Sequence, residues 1–364
     1  MRFWLAALKV LGPVILFTFT AAADDGHAFL HSLNNIRTVA STVPMNGDVN
    51  PYGVAIVPNT IGALEQGSVL VSNFNNAGNA QGTGTTIAEI DPNGKVKTFA
   101  QLGRSLPGGC PGGVGLTTAL VALRSGFVIV GSLPTTDGTA ATAQAGCLIV
   151  LDSNGDAVST LSGNGINGPW DMTAVDHGAF AVLFVSNVLN GTVAANGQVV
   201  NGGTVLRIGI STPLFGVPVE FGRTVIAGGF AERSDPDALV IGPTGLVFSL
   251  DGRLFVADTL KNRITAIPNA LFRFDSAGTG TTLFQNGALN GPLGLAIAPN
   301  GDILTVNSGD GNIVEITRLG EQVAVKAIDV SMQSAGTLFG LAVDRNGHGI
   351  YFVDDGNNTL NLLH

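Results

Sequence analysis

Charge is the scarcest resource in this sequence. Only 12% of the 364 residues are Asp, Glu, Lys or Arg, a composition that excludes a charged, disordered chain and a bundle of long polar-faced helices. Two cysteines are too few for a disulfide scaffold. The five histidines, His27, His31, His177, His348 and His364, fall in unrelated contexts without zinc-site spacing. There is no Gly-x-Ser-x-Gly elbow, no His-Glu-x-x-His and no Walker loop. What is abundant is glycine, 51 residues, with 45% hydrophobic residues and a mean hydropathy of +0.38. Gly-rich, Val/Ile/Leu/Thr-rich chains with little charge read as many short strands joined by tight turns.

The N-terminus reads as an export leader over residues 1–23. Arg2 gives a positive start, Val10 to Phe19 an apolar stretch, and Ala21-Ala22-Ala23 a small-residue cleavage site, so that Asp24 opens the mature chain. No later run is long and apolar enough to span a bilayer. The expectation is an exported protein, periplasmic or secreted, with no membrane insertion after cleavage. Asn190-Gly-Thr192 and Asn357-Asn-Thr359 are glycosylation sequons in a eukaryotic secretory pathway. The formal charge of −9 falls to −11 when Arg2 and Lys9 leave with the leader. That surplus, with no basic cluster to offset it, disfavours nucleic acid and anionic membrane surfaces.

Internal repeats set the fold. Gly294-Leu-Ala-Ile-Ala-Pro-Asn-Gly301, Gly340-Leu-Ala-Val-Asp-Arg-Asn-Gly347 and Gly245-Leu-Val-Phe-Ser-Leu-Asp-Gly252 share one spacing. Each leads into a short β-rich run, a polar turn and a third strand, as in Leu254–Asp258 followed by Asn262–Ile267. Looser copies begin at Pro51-Tyr52-Gly53, Gly115-Leu116 and Trp170-Asp171. Asp91-Pro-Asn-Gly94 and Asp152-Ser-Asn-Gly155 are hairpin turns into fourth, outer strands. Six copies predict an all-β, six-bladed β-propeller of four-stranded antiparallel blades, a single domain over 24–364. The last copy stops at its third strand, so Ile36–Thr42 is expected to supply its outer strand and close the ring.

The pattern Gly-Leu-Ala/Val-x(4)-Gly, strand, Asn/Asp, turn, strand resembles NHL repeats. Phe255-Val-Ala-Asp-Thr-Leu-Lys-Asn-Arg-Ile264 is especially close to their core. More distantly the chain resembles the gluconolactonase/regucalcin-like propellers. That resemblance implies a divalent cation, calcium among the candidates, at the channel mouth. Asn167-Gly168-Pro169-Trp170 is similar to the segment that supplies an amide ligand, and Pro236-Asp237 to the one that supplies the acidic ligand and base. Asn167 and Asp237 are thereby implied as metal ligands, and Asp237 as the catalytic proton carrier of a lactonase. The match is incomplete: Ala238 replaces a glycine, and Pro111-Gly112-Gly113 stands where an Asn-Asp-Gly segment is expected.

In an up-and-down blade, the loop entering the first strand and the loop between strands two and three share a face. The long insertions Asn75–Thr85, Leu133–Gly146, Val188–Gly203 and Gly228–Ala238 fall largely there, which directs function to that face. Asn73, Ser132, Asn187, Asp258, Asn307 and Asp354 end the second strands as a polar ring, suited either to a ligand or to capping their own turns. Tyr52, Trp170 and Phe339 share one register, as binding anchors or as packing between blades. Asp171, Arg233, Asp235, Lys261 and Arg263 are the charged groups expected nearby. Ligand contacts are assigned to Asn73, Trp170, Asp171, Asn187, Asp258, Arg263 and Asn307. Cys110 and Cys147 lie in blade two on this face, where export permits a bridge; the alternative is two packed thiols. The sum is an exported monomeric binding module for a small molecule, peptide or protein, with metal-dependent lactone hydrolysis as the alternative.

Overall fold

A computed structural model describes residues 28–103, 105–236, 238–329 and 336–364. The leader assignment and Asp237 lie outside these residues. Six antiparallel sheets follow one another along the chain, and their first strands pack side by side around a central axis. These inner strands are Val49–Ile56, Leu116–Ala122, Pro169–Asp176, Pro243–Phe248, Pro292–Ile297 and Leu338–Val343, one per blade. The second and third strands are almost wholly buried between blades, as their unbroken Val/Ile/Leu runs require. Blade six lacks an outer strand of its own. Ile36–Ser41 fills the place, pairing antiparallel with Thr359–Leu363 from Ile36↔Leu363 to Ser41↔Thr359. Closure by the two ends of the described chain is therefore as the repeat count predicts.

The Asp-x-Asn-Gly turns are tight for a local reason. Asp91 Oδ1 accepts the amides of Asn93 and Lys95, and Asp152 Oδ1 those of Asn154 and Asp156. Gly94 and Gly155 then take the left-handed backbone. Cys110 and Cys147 are joined in a disulfide, with Cα atoms 5.4 Å apart. It ties the entry of blade two to the start of its third strand.

Blade three departs from the expected pattern. Its outer strand runs over 17 residues, Val219–Asp235, and turns back into a fifth, short strand, Leu239–Ile241. The segment Gly228–Ala238, expected as a loop, is thus largely strand. Register shifts along its pairing with Val200–Ser211 bend it inward, one at Gly228. The turn places Leu239 at φ +61°, the one residue other than Asn and Gly in the left-handed region among those described. For leucine that conformation costs roughly 1 kcal/mol, held by burial of its side chain.

Candidate functional site

The bent hairpin of blade three closes the axis on the loop-rich face. Ala238, Leu239, Val240 and Ile241 pack with Tyr52, Phe74, Leu133, Trp170, Leu293 and Phe339 into one buried cluster. Tyr52 stacks on Phe339 at 3.9 Å and on Phe74 at 4.6 Å, with Trp170 at 6.4 Å from both Tyr52 and Phe339. The Trp170 indole N–H donates to Val240 O at 3.0 Å. Trp170 is therefore a plug residue and not an exposed anchor: its apolar ring and its one donor are both satisfied inside the protein.

The polar ring is also bonded within the protein. Asn73 donates to Thr42 O, Ser132 to Gly113 O, and Asn307 to Ala288 O and Asp310 Oδ1. Asn187 Oδ1 accepts Asn167 N, and Asp354 accepts the backbone and side-chain N–H groups of Asn357. Asp258 accepts Arg263 Nε at 2.7 Å, while burial raises its pKa against that pull. Asn73, Asn187 and Asn307, expected as ligand contacts, are fully buried. Asp258 and Arg263 do share a rim cavity of about 260 Å³ with Lys261 and Gln285, between blades three and four.

Of the two implied metal ligands, only Asn167 is among the described residues. Its side-chain amide donates to Asn190 Oδ1, and its oxygen accepts the Gly168 amide. No group of three or more His, Cys, Asp or Glu side chains there could hold a metal. Apolar rings occupy the channel mouth where the resemblance implies the ion. On the loop-rich face the insertions of blades one to three instead surround a groove of about 440 Å³ lined by Gln81, Thr139, Arg233 and Asp235. Arg233 and Asp235 pair at 3.2 Å, and Gln81 donates to Pro236 O.

The opening into the axis is on the other face. Below the plug, the inner strands enclose a channel of about 410 Å³, lined by Val54, Leu120, Met172, Leu246, Ala296 and Val343 among others. Asp176 stands in its lining, with its carboxylate committed to the amides of Arg124 and Gly178. Asp171 also lines the channel, buried at 8% exposure, and its Oδ2 accepts the Leu246 amide at 2.8 Å. Burial pushes its carboxyl up to about 7, against the pull of the Leu246 and Met172 amides. Thr118 lines the channel as well, and its buried hydroxyl has no hydrogen-bond partner among the described residues.

The reason an acid sits there is local. Each inner strand bulges near its start, just after its first paired residue in five blades and after Pro51, its second, in blade one. In the bulge of four blades stands a glycine, Gly53, Gly245, Gly294 or Gly340. A Cβ at the last three would come within 2.3 Å of the next blade's carbonyl, so no side chain fits. Blade three carries Asp171 at this level instead, and its carboxylate spans the seam to blade four. Sequence reasoning named Asp171 but put it on the loop-rich face. It passed over Thr118 and the fully buried Glu232, whose Oε1 accepts from Asn190 N and Thr192 Oγ1 and whose pKa burial raises to about 7.

No family model and no curated protein matches the sequence. Solved propellers do match the fold. A gluconolactonase from Xanthomonas campestris superposes with a TM-score of 0.56 at 15% identity, covering 92% of each chain. A virginiamycin B lyase from Staphylococcus aureus gives 0.52 at 14%, over 90% of this chain and 98% of the other. A calcium-binding regucalcin from Agrobacterium tumefaciens gives 0.50 at 13%, over 89% and 92%. These likenesses show a shared six-bladed ring with different printed activities, so function has to be argued from the site.

Proposed function

We propose that this protein is a binding module whose ligand enters the central channel from the face opposite the long loops. The observation that carries it is Asp171, a buried carboxyl of raised pKa in a channel lined by aliphatic side chains together with Thr118, Thr173 and Asp176. A buried carboxyl held by backbone amides keeps acceptor capacity for a further partner, and Thr118 adds an unused hydroxyl. The aliphatic side chains of the wall suit an apolar body, Thr173 and Asp176 suit polar groups on it, and the buried acid favours a hydrogen-bond donor at its leading end. Aliphatic side chains with a few polar groups among them are the usual make-up of a small-molecule site.

The probes are n-alkyl alcohols and amines against the matching alkanes, titrated by calorimetry. Saturable one-to-one binding of the donors, abolished by a channel-filling Thr173→Trp, is the expected result. Binding that survives Thr173→Trp places the ligand elsewhere and overturns the assignment. Metal-dependent lactone hydrolysis is the second reading. The fold shared with the Xanthomonas gluconolactonase supports it, while the donors among the described residues do not. Calorimetry with calcium, zinc and manganese, with Asp237→Ala as control, decides it: tight binding lost in the variant favours the hydrolase.

A further inference from the structure

The channel-mouth face has a second property, independent of the ligand. In every blade the loop between strands one and two and the loop between strands three and four lie on this face. On blades three to five these loops end in bare apolar side chains. Leu214 and Phe215 tip the hairpin Thr212–Pro218, Leu250 tips Ser249–Arg253, Phe272 and Phe274 stand on Pro268–Gly280, and Leu319 tips Thr317–Glu321. Their exposures run from 68% to 103%, against a norm in which large apolar side chains cluster inward.

Two features say what covers them. The tips project from separate loops on neighbouring blades; they do not line a groove, so they suit a soft apolar medium better than a shaped protein pocket. The same loops carry Arg253, Arg273 and Arg318 against Asp251, Asp275 and Glu321, a balanced sector in a chain whose net charge is −9. A neutral sector suits a neutral surface, and the acidic remainder repels an anionic one.

We propose that this sector docks the ring peripherally on a zwitterionic phospholipid surface, with the tips of Leu214, Phe215, Leu250, Phe272, Phe274 and Leu319 inserted among the headgroups and acyl chains. No helix among the described residues is long and apolar enough to cross a membrane, so the contact is interfacial.

The test uses the full chain and phosphatidylcholine vesicles, some with brominated acyl chains. A Phe215→Trp reporter, read as a difference against the unsubstituted chain, should emit like exposed tryptophan in buffer. With vesicles it should shift to the blue and be quenched by the brominated lipid. A Phe215→Ser/Phe272→Ser/Phe274→Ser variant should lose at least roughly a hundredfold in partitioning, at about tenfold per fully buried ring. Val43→Ser/Met45→Ser, on the opposite face, should partition like the parent; both keep the leader, so its contribution cancels. Equal partitioning of parent and triple variant refutes the docking assignment. So does a reporter already blue-shifted without lipid, which points to a second copy or the chain's own apolar stretch on the tips. Binding that needs phosphatidylglycerol and disappears in high salt refutes it too, since that is charge-driven.

Discussion

Asp171→Asn removes a titrating group and little else. The side chain keeps its shape, and the amide oxygen can still accept the Leu246 N–H that Asp171 Oδ2 accepts now. The folded carboxyl titrates at about 7, against an ordinary value of 3.8. Between those values the folded chain holds a proton that the unfolded chain has released. Stability therefore falls as pH rises through this window; it is fully present below about pH 4 and the loss is complete above about pH 7. Three pH units at about 1.4 kcal/mol each make the loss roughly 4 kcal/mol. Asn has no such term. The variant should gain on the parent steadily from about pH 4 to about pH 7, by up to roughly that amount. Denaturant unfolding of both proteins at each pH measures it. Glu232 and Asp355, whose pKa values burial also raises to about 7, titrate in both proteins and cancel in the difference. A stability difference that stays flat with pH would mean that Asp171 ionises normally, and the acid end of the channel would lose its physical basis.

Trp170→Ala empties the centre of the plug and removes the donor to Val240 O, so it should cost about 3–5 kcal/mol and connect the channel to the loop-rich face. Thermal unfolding checks the first part, and entry of a bulky dye from the loop-rich face the second. Cys110→Ser with Cys147→Ser releases a loop of 37 residues' separation and should cost about 4 kcal/mol by chain entropy. Denaturant midpoints of the parent, oxidised and reduced, should bracket the same interval.

The ring was legible because the repeat carries its own punctuation. Leu254–Asp258, Ile303–Asn307 and Ile350–Asp354 each follow a Gly-Leu-x-x strand at fixed distance, and the missing fourth strand of blade six pointed to Ile36–Thr42. Register also marked Tyr52, Trp170 and Phe339 as equivalent, which the plug explains as packing. The closed mouth was not legible. Gly228-Gly229 and Pro236 read as loop punctuation, and only the pairing Asp235↔Leu239 shows that the chain folds back across the axis. Asp171 could have been placed by aligning Trp170-Asp171 with Tyr52-Gly53 and Phe339-Gly340, since an acid in a tier of obligate glycines has to reach somewhere. Phe215, Phe272 and Phe274 gave no signal, because a phenylalanine near a turn looks the same in sequence whether it folds inward or stands in solvent.

Plug, channel and apolar rim constrain one another. The plug leaves the axis a dead end, so anything reaching Asp171 enters and leaves by the face that carries the exposed tips. If that face lies on lipid, the channel opens toward acyl chains and headgroups, and the ligands that meet it first are long, apolar and polar at one end. The channel wall is mixed, aliphatic side chains with Thr118, Thr173 and Asp176, and a hydrogen-bonding acid stands beyond them, which suits the same kind of molecule. The channel site and the apolar tips share no residue, so each can fail without the other. A variant that abolishes vesicle binding should leave calorimetric binding of a soluble short-chain alcohol intact, and Thr173→Trp should do the reverse. Loss of both activities from either variant would show one site where two are assigned.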